Sequence, residues 1–377
     1  MRIVAFAWNH EGLGHVSRLA AITGELTHRI PRSSALFFVE QPYDILEETG
    51  ITQIPVPVPN STFAGDIARV HDDDGDLAVT AEALRPFVAN VLSRVNPVVA
   101  LHDSVIWRPL YDVCLSAGIP QTLVLRERVR LADYLASISG ELARFAGIVV
   151  PHAPSDHLVE ALDAHRDRAA FIGPVIRERR PPRRRWWRTE RDAGGRRLVV
   201  ISAGGGGYDD VAAYLSTMVE ACSGIEEPLH VVTVTGPLFR GRLDAPPGFP
   251  HRLTTLPYEP DLSYLFADAD AAVTQAGYNT INELRSLGVP AVLVPSPRGY
   301  DDQFQRAAAE AGSAHNRLFV AKPVAEDVGR ALRSALALPP RTPSEGGGSP
   351  LFEHSDGAAA AAEAILRRCP GLRTQGE

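Results

Sequence analysis

The segment from Thr274 to Glu283 has the residue types and the spacing of a phosphate-binding turn. Its sequence, TQAGYNTINE, follows a short apolar run and leads into a helical pattern that starts at Tyr278. A helix N-terminus holds phosphate through its unpaired N–H groups and its dipole. Gly277 lets the backbone approach a pyrophosphate closely, and Thr280 adds a hydroxyl group. Glu283, about one turn further on, is placed to accept hydrogen bonds from ribose hydroxyls.

Two further loops extend this candidate site. One loop consists of four consecutive glycines, which can wrap around phosphate: Gly204, Gly205, Gly206 and Gly207. The other carries Asp302 and Gln303, whose carboxylate and amide groups are suited to binding sugar hydroxyls. Each feature alone is typical of a tight turn or a solvated surface. Their combination indicates a nucleotide-sugar site, because all three follow predicted strands, whose carboxyl ends bind ligands in open α/β sheets.

His15 is the first candidate for a general base. It follows Gly14 at the head of a predicted helix, and an unperturbed imidazole titrates near neutral pH. His10, in the same loop, is the second candidate. Asp103 follows another predicted strand and is placed to orient the second ring nitrogen of His15. The alternative is that Asp103 caps a helix starting near Val105.

Arg126 and Glu127 follow the next predicted strand of the first sheet. We expect them, together with Gly14 and His10, to bind the acceptor, which is the substrate from which His15 would take a proton. An Arg-Glu-Arg sequence is also typical of a surface cluster of ion pairs, and the residues alone leave both interpretations open.

Two α/β domains in series are predicted to position these residues. Short apolar runs alternate with longer helical patterns, as in strand–helix units around a parallel sheet. The predicted strands are Ile3–Trp8, Ala35–Val39, Val98–Leu101, Gln121–Leu125, Gly147–Val150, Leu198–Ser202, His230–Thr235, Ala271–Thr274 and Ala291–Pro295. The predicted helices include Val16–His28, Asp76–Val95, Arg108–Ala117, Asp209–Cys222, Thr280–Leu287, Asp301–Ala311 and Gly357–Arg368.

The domain boundaries are predicted from composition. Proline, glycine and clustered arginine mark residues 173–197 as a linker between a first domain, 1–172, and a second domain, 198–338. Residues 339–355 form a predicted flexible loop, and residues 356–377 form a final helix and tail.

The bulk composition excludes several classes of protein. The 377 residues are 45% hydrophobic, enough for two domains with their own cores. A formal net charge of −7 argues against a nucleic-acid partner. Three widely spaced cysteines argue for a reducing compartment and against a zinc site. Neither a signal peptide nor a membrane-spanning stretch is evident. We expect a cytoplasmic protein with no metal, no cofactor and no stable membrane association.

The run TQAGYNTINELRSLGVPAVLVPSPRGYDDQFQRA resembles the donor-binding signature of MurG-like transferases (glycosyltransferase family 28) and of related natural-product glycosyltransferases. The matching positions are Gly277, Thr280, Glu283, Gly288-Val-Pro290, Pro295 and Asp302-Gln303. The resemblance implies a GT-B fold, in which two Rossmann-like, doubly wound α/β domains face a cleft.

The same resemblance implies a set of donor contacts. Glu283 would bind the ribose, Asp302 and Gln303 would bind the donor sugar, and the backbone around Tyr258 would contact the base. The remaining donor-binding residues are Gln275, Gly277, Asn279 and Thr280.

Gln275 is the position that departs from the family pattern. Relatives often carry a cationic or imidazole group there, next to the diphosphate. An amide donates a hydrogen bond but brings no charge. The helix N-terminus or Arg298 must therefore contribute more in this chain.

Gly12-Leu-Gly14-His15 resembles the N-terminal glycine loop of the same families, in several of which a histidine deprotonates the acceptor hydroxyl. The resemblance implies inverting, metal-independent transfer of a sugar from a UDP or dTDP sugar to a small soluble acceptor, in specialised metabolism such as antibiotic biosynthesis. The peptidoglycan enzyme itself is not expected, since no apolar or basic docking surface is evident in the first domain. Two alternatives stay open: a nucleotide-sugar 2-epimerase or hydrolase on the same scaffold, and a non-catalytic nucleotide-sugar binding protein.

Overall fold

The computed structural model describes residues 2–8, 12–56, 69–70, 76–176, 186–187, 195–259, 262–299, 301–311, 317–339 and 357–369. The chain forms two compact units. The first holds Met1–Asn9, Gly14–Arg177 and His354–Glu377, and the second holds His10–Leu13 and Glu178–Glu353. The C-terminal helix therefore belongs to the first unit, although the sequence places it after the second domain.

The first unit is built on a parallel sheet with the strand order β3-β2-β1-β5-β7-β8-β9. Its strands are β1 Arg2–Ala7, β2 Ser34–Val39, β3 Thr52–Pro55, β5 Val99–Asp103, β7 Gln121–Val124, β8 Gly147–Val150 and β9 Ala169–Phe171. A separate parallel pair consists of β4 Arg69–Val70 and β6 Ile106–Trp107. The helices are α1 Gly14–Arg29, α2 Asp44–Glu48, α3 Asp76–Val95, α4 Arg108–Ser116, α5 Leu131–Ser137, α6 Ser139–Leu142, α7 Asp156–Ala161 and, at the C-terminus, α13 Gly357–Arg368, which packs on α1 and β8.

The second unit is a six-stranded parallel sheet with the order β12-β11-β10-β13-β14-β15. Its strands are β10 Arg197–Ser202, β11 Leu229–Val234, β12 Arg252–Leu256, β13 Ala271–Thr274, β14 Ala291–Leu293 and β15 Leu318–Val320. Its helices are α8 Val211–Cys222, α9 Leu262–Asp268, α10 Tyr278–Leu287, α11 Gln303–Ala311 and α12 Ala325–Leu336. Among the helices that the structure describes, none has both the length and the apolar character needed to cross a membrane.

The predicted α/β class is confirmed, and the predicted strands and helices are found with ends shifted by at most two residues. The sequence analysis missed β3, β9, β12 and β15, which are the edge strands of the two sheets. Edge strands pair on one side, and most residues of these four are partly exposed. They therefore lack the continuous apolar run by which buried parallel strands are recognised, as in Ile3–Phe6.

Each sheet reverses its order at one place. In the first sheet the reversal lies between β1 and β5, and in the second between β10 and β13. Ligands of open α/β sheets bind outside the carboxyl ends of the strands at such a switch point. Asp103 is the last residue of β5, and His15 stands in the helix after β1. Gly204 follows β10, and Gly277 follows β13. The predicted residues of both units thus gather at switch points.

The two tryptophans of the predicted linker, Trp186 and Trp187, pack on the core of the second unit. Trp187 is fully buried and its indole N–H donates to Asp268 Oδ2 over 2.9 Å. The indole N–H of Trp186 donates to Glu259 Oε2 over 3.2 Å. The buried indole of Trp187 and the half-buried indole of Trp186 thus both have their polar atom satisfied, which lets them stabilise the second unit.

Gly206 and Gly236 let two loops of the second unit pack backbone against backbone. Both have positive φ, at 73° and 94°. A Cβ at Gly236 would overlap the carbonyl group of Gly205, and a Cβ at Gly206 would overlap the carbonyl oxygen of Thr235. The loop after β10 is therefore held in shape by the loop after β11.

We expect Gly236→Ala to lower the free energy of unfolding by about 2–5 kcal/mol, because it adds a steric overlap to a left-handed backbone. Gly248→Ala is the matched control, since Gly248 has a similar φ of 73° but nothing within 4 Å of its Cβ position. Gly248→Ala should lower the free energy of unfolding by only about 1 kcal/mol. Urea unfolding of the full chain measures both, and equal losses would refute the packing interpretation.

Candidate functional site

In the first unit, His15 and Asp103 form the contact that the sequence analysis predicts. His15 Nδ1 lies 3.1 Å from Asp103 Oδ1, and the two residues are 88 positions apart in the chain. The side chain of Asp103 is fully buried, whereas that of His15 is 18% exposed. An ionised carboxylate only accepts hydrogen bonds, so this contact requires the ring proton on Nδ1. In the neutral ring the lone pair is then on Nε2, the nitrogen with which a general base acts.

Arg18 completes this cluster, and the sequence analysis missed it. Its Nε donates to Asp103 Oδ2 over 2.8 Å, and its Nη2 donates to Asp103 Oδ1 over 2.7 Å. Burial opposes the charge on Asp103, but Arg18 and His15 outweigh burial and lower the pKa of this carboxyl to about 2. The one signal for Arg18 in the sequence is weak: it lies three residues after His15, and residues three apart share one face of a helix.

Ser104 fixes the direction in which Asp103 leaves the strand. Its φ is 54°, a left-handed conformation that costs a non-glycine residue about 1–2 kcal/mol. Its N–H donates to Val124 O over 2.8 Å, and the Tyr134 hydroxyl donates to its carbonyl over 2.8 Å. Its own hydroxyl donates to Asp103 Oδ1 over 3.2 Å. The alternative role of Asp103 as a helix cap is wrong, because the short strand β6 follows and α4 begins only at Arg108.

The predicted acceptor residues lie near this cluster to differing degrees. The N–H of Arg126 donates to Ser104 Oγ over 3.3 Å, so the loop after β7 is tied to the neighbour of Asp103. Glu127 is exposed, and its N–H donates to His152 Nε2 over 3.0 Å. Gly14 is the first residue of α1. His10 lies outside the described residues. That any of them contacts an acceptor stays a prediction.

In the second unit the four glycines differ in their roles. Gly205 and Gly206 are buried, and the carbonyl of Gly205 accepts the N–H of Leu238 over 3.0 Å. Gly204 is exposed and Gly207 half-buried, so these two are the members accessible to a ligand. The buried half of the run therefore serves packing, and phosphate binding by the run stays a prediction.

Gln275 is buried, and both ends of its side chain are engaged within the protein. Its Nε2 donates to Ser296 Oγ over 3.3 Å, and its Oε1 accepts from Arg298 Nη2 over 3.2 Å. Ser296 in turn donates its N–H to Gln303 Oε1 over 3.1 Å. Gln275 and Gln303, predicted separately as donor contacts, thus belong to one buried network.

Helix α10 presents its N-terminus next to this network. Gly277 is its N-cap residue, with φ −66° and ψ 141° and no side-chain cap. A Cβ at Gly277 would meet only Thr280 Oγ1, at 3.7 Å. Neither packing nor φ therefore requires glycine here, which leaves close approach of a ligand as a reason for it. Asn279, Thr280 and Glu283 are half-buried on the first turns of the helix.

The remaining predicted donor residues lie around α11 and β12. Asp302 Oδ1 accepts the N–H of Gln305 over 2.8 Å, which explains why α11 begins at Gln303 and not at Asp301. Tyr258 is half-buried and lies between β12 and α9. Asp302 therefore has a structural role, and the sugar contact predicted for it is untested.

A family model matches part of the second unit. The sequence model described as the glycosyltransferase family 28 C-terminal domain matches residues 206–335. This range contains α10 and the loop that carries Asp302 and Gln303.

Curated relatives match only in part. One, the UDP-N-acetylglucosamine–N-acetylmuramyl-(pentapeptide) pyrophosphoryl-undecaprenol N-acetylglucosamine transferase of Mycolicibacterium vanbaalenii, is 34% identical over 159 residues, which cover 40% of this chain and 38% of that protein. The enzyme of the same name from Aquifex aeolicus is 34% identical over 86 residues, 22% of this chain and 24% of that protein. The chain thus spans less than two fifths of the length of these two relatives.

Solved structures match over nearly the whole chain. The glycotransferase of kitacinnamycin has a TM-score of 0.66 at 18% identity, over 98% of this chain and 99% of that one. A structure described as a putative UDP-N-acetylglucosamine 2-epimerase from Listeria monocytogenes has a TM-score of 0.55 at 11% identity, over 97% and 94%. At these identities the likeness concerns the fold. The chain has the two-domain GT-B fold, and its second unit is similar to the C-terminal domain of glycosyltransferase family 28.

Proposed function

We propose that this chain is an inverting glycosyltransferase that moves a sugar from a nucleoside diphosphate sugar to a hydroxyl group. The observation that carries the proposal is the match of residues 206–335 to the glycosyltransferase family 28 C-terminal domain. The match contains Gly277, Glu283 and Asp302, the residues assigned to the diphosphate, the ribose and the sugar. In this assignment the second unit binds the donor and the first unit binds the acceptor.

The His15–Asp103 contact supports the chemical step. The acceptor oxygen attacks the anomeric carbon, its proton passes to His15 Nε2, and the bond from the anomeric carbon to the diphosphate oxygen breaks with its electron pair on the leaving group. Asp103 holds the required tautomer and faces the imidazolium that forms. The N-terminus of α10 stabilises the negative charge of the leaving diphosphate. No step in this scheme uses a metal ion.

The proposal for the acceptor names two classes of compound. We propose a small soluble compound of specialised metabolism, by similarity of fold to the glycotransferase of kitacinnamycin. A lipid-linked acceptor is the second candidate, because the relatives from Mycolicibacterium vanbaalenii and Aquifex aeolicus are named as transferases that act on a pyrophosphoryl-undecaprenol compound. Offering soluble and lipid-linked hydroxyl compounds to the same enzyme distinguishes the two.

A nucleotide-sugar 2-epimerase or hydrolase is the rival function, and the Listeria neighbour is the observation that favours it. Such an enzyme needs no acceptor. Incubation of the protein with a UDP sugar or a dTDP sugar alone should return the donor unchanged if the chain is a transferase. Rapid formation of the 2-epimer or of free sugar would favour the rival.

Glu283→Ala should weaken UDP binding by about 10–100-fold, because a carboxylate that accepts two ribose hydroxyls contributes about 1.5–3 kcal/mol. The loss should be smaller for dTDP, whose deoxyribose keeps one of the two hydroxyls. Glu220→Ala, at an exposed position of α8, is the control and should leave both affinities unchanged. Thermal shift with UDP, dTDP and GDP measures the effect, since a ligand of the native state raises Tm. Equal losses for UDP and dTDP would contradict the ribose assignment.

His15→Ala should lower kcat by about 10²–10⁴-fold, the usual contribution of a general base, and should leave the donor Kd unchanged. Asp103→Asn should act in the same direction, since its amide can donate to Nδ1 and so favours the wrong tautomer. The control is His157→Ala, at an exposed position of α7. Release of nucleoside diphosphate with a panel of acceptors is the measurement. A full rate at neutral pH in His15→Ala would exclude this residue as the base.

A further inference from the structure

The guanidinium of Arg298 lies where three loops of the second unit meet. Arg298 itself follows β14, Gln275 follows β13, and Tyr208 follows the glycine run after β10. Arg298 Nη2 is 3.2 Å from Gln275 Oε1, and its Cζ is 3.9 Å from the centre of the Tyr208 ring. Since β10, β13 and β14 are neighbours in the sheet, this cation stands at the carboxyl edge beside the switch point.

The charge of Arg298 is largely, though not fully, buried and is poorly compensated. Its side chain is 11% exposed, and its closest ion pair within the described part of the chain is to Asp210 Oδ1, at 4.0 Å. Asp210 is itself 58% exposed, so water screens this pair. By contrast, Arg18 has two short bonds to a buried carboxylate. A guanidinium stays charged in proteins, and burying a charge is costly unless an opposite charge pairs with it.

The neighbours of Arg298 hold it in place without neutralising it. The ring of Tyr208 provides a face on which a guanidinium stacks. Burial raises the pKa of the Tyr208 phenol, so this ring carries no negative charge near neutral pH. Gln275 accepts one hydrogen bond from Nη2, and Pro297 O accepts another from Nη1 over 3.0 Å. All these partners are neutral, and they fix the guanidinium as a preorganised cation.

Through Gln275, this cation is connected to the loop that leads into the N-terminus of α10. Gln275, which holds Arg298, is two residues before Gly277, the N-cap of α10. The N-terminus of this ten-residue helix carries partial positive charge and has no side-chain cap. A group of two phosphates that reaches the helix N-terminus is therefore within range of a fork of N–H donors that binds phosphate well.

We propose that Arg298 binds the diphosphate of the donor and that Gln275 is a positioning residue for it. This inference rests on the proposed function, because it takes a nucleoside diphosphate as the ligand. It replaces the direct phosphate contact predicted for Gln275, whose amide N–H is directed to Ser296 and whose carbonyl oxygen is directed to Arg298.

The test is isothermal titration of the full chain with UDP, UMP and uridine, or with dTDP, dTMP and thymidine if the wild type prefers that base. Arg298→Met should weaken binding of the diphosphate by about 10–100-fold, the monophosphate less and the nucleoside not at all. Arg298→Lys, which keeps the charge but loses the fork, should give an intermediate loss. Raising the salt concentration should reduce the difference in diphosphate affinity between the wild type and Arg298→Met, because salt screens the charge of Arg298.

Two variants separate ligand binding from a structural role. Gln275→Glu places a carboxylate against the guanidinium, so it should weaken diphosphate binding about as much as Arg298→Met while keeping the three loops joined. Arg285→Met removes an arginine of the last turn of α10, 43% exposed and paired with Glu310, and should leave all affinities unchanged. If Arg298 only held the three loops together, Arg298→Met should instead weaken binding of the nucleoside as much as binding of the diphosphate.

The outcomes distinguish the two proposals. Wild-type affinity for the diphosphate in Arg298→Met, or equal losses for diphosphate and nucleoside, would overturn the role of Arg298 and leave the transferase proposal standing. Failure of the wild-type protein to bind any of the six compounds would overturn both. If Arg298→Met does not fold, Gln275→Glu decides, because unchanged diphosphate affinity in that variant also overturns the proposal.

Discussion

Parallel strands constrain where each unit of this chain can do chemistry. Every strand must be joined to the next by a crossover, so the loops that leave the carboxyl ends all lie along one edge of the sheet. Where the strand order reverses, the loops on either side diverge, and polar groups can be exposed there without disturbing the core. In the first unit this place is between β1 and β5, and in the second it is between β10 and β13.

A buried arginine stands at each of these places, and the difference between the two is informative. Arg18 is paired with Asp103, so this pair has no net charge and serves to hold a carboxylate against His15. Arg298 is held by neutral groups and keeps its charge. A neutral ion pair is suited to holding a carboxylate in a fixed orientation, whereas a site for a diphosphate is favoured by positive charge that the protein itself compensates poorly. The electrostatics of the two units thus agree with the division of labour that we propose.

The sequence was sufficient for the central strands of both sheets and for the predicted residues that lie at loop starts. Gly277 and Asp103 could be placed because apolar runs show where parallel strands end. The sequence was insufficient for groups defined by tertiary contact. Arg18 looks like any helix residue until a carboxylate 85 positions away is known to face it. Ser104 has no signal of its left-handed backbone, since that conformation is imposed by bonds to Val124 and Tyr134.

The proposed division into a donor unit and an acceptor unit gives a physical reason why the family match covers only part of the chain. A donor site binds a nucleoside diphosphate, whose phosphates and ribose are common to many substrates, through a helix N-terminus and a few side chains. Family similarity at the level of sequence is accordingly found over residues 206–335. The unit that we propose to bind the acceptor would have to fit whatever molecule receives the sugar, and the solved structures match this chain over nearly its full length at 18% identity or below. The family match lies within the second unit, so it bears on the proposed donor site and not on the acceptor. Under the function that we propose, the acceptor would be recognised by the loops after β1, β5 and β7, which carry or adjoin His15, Asp103 and Arg126.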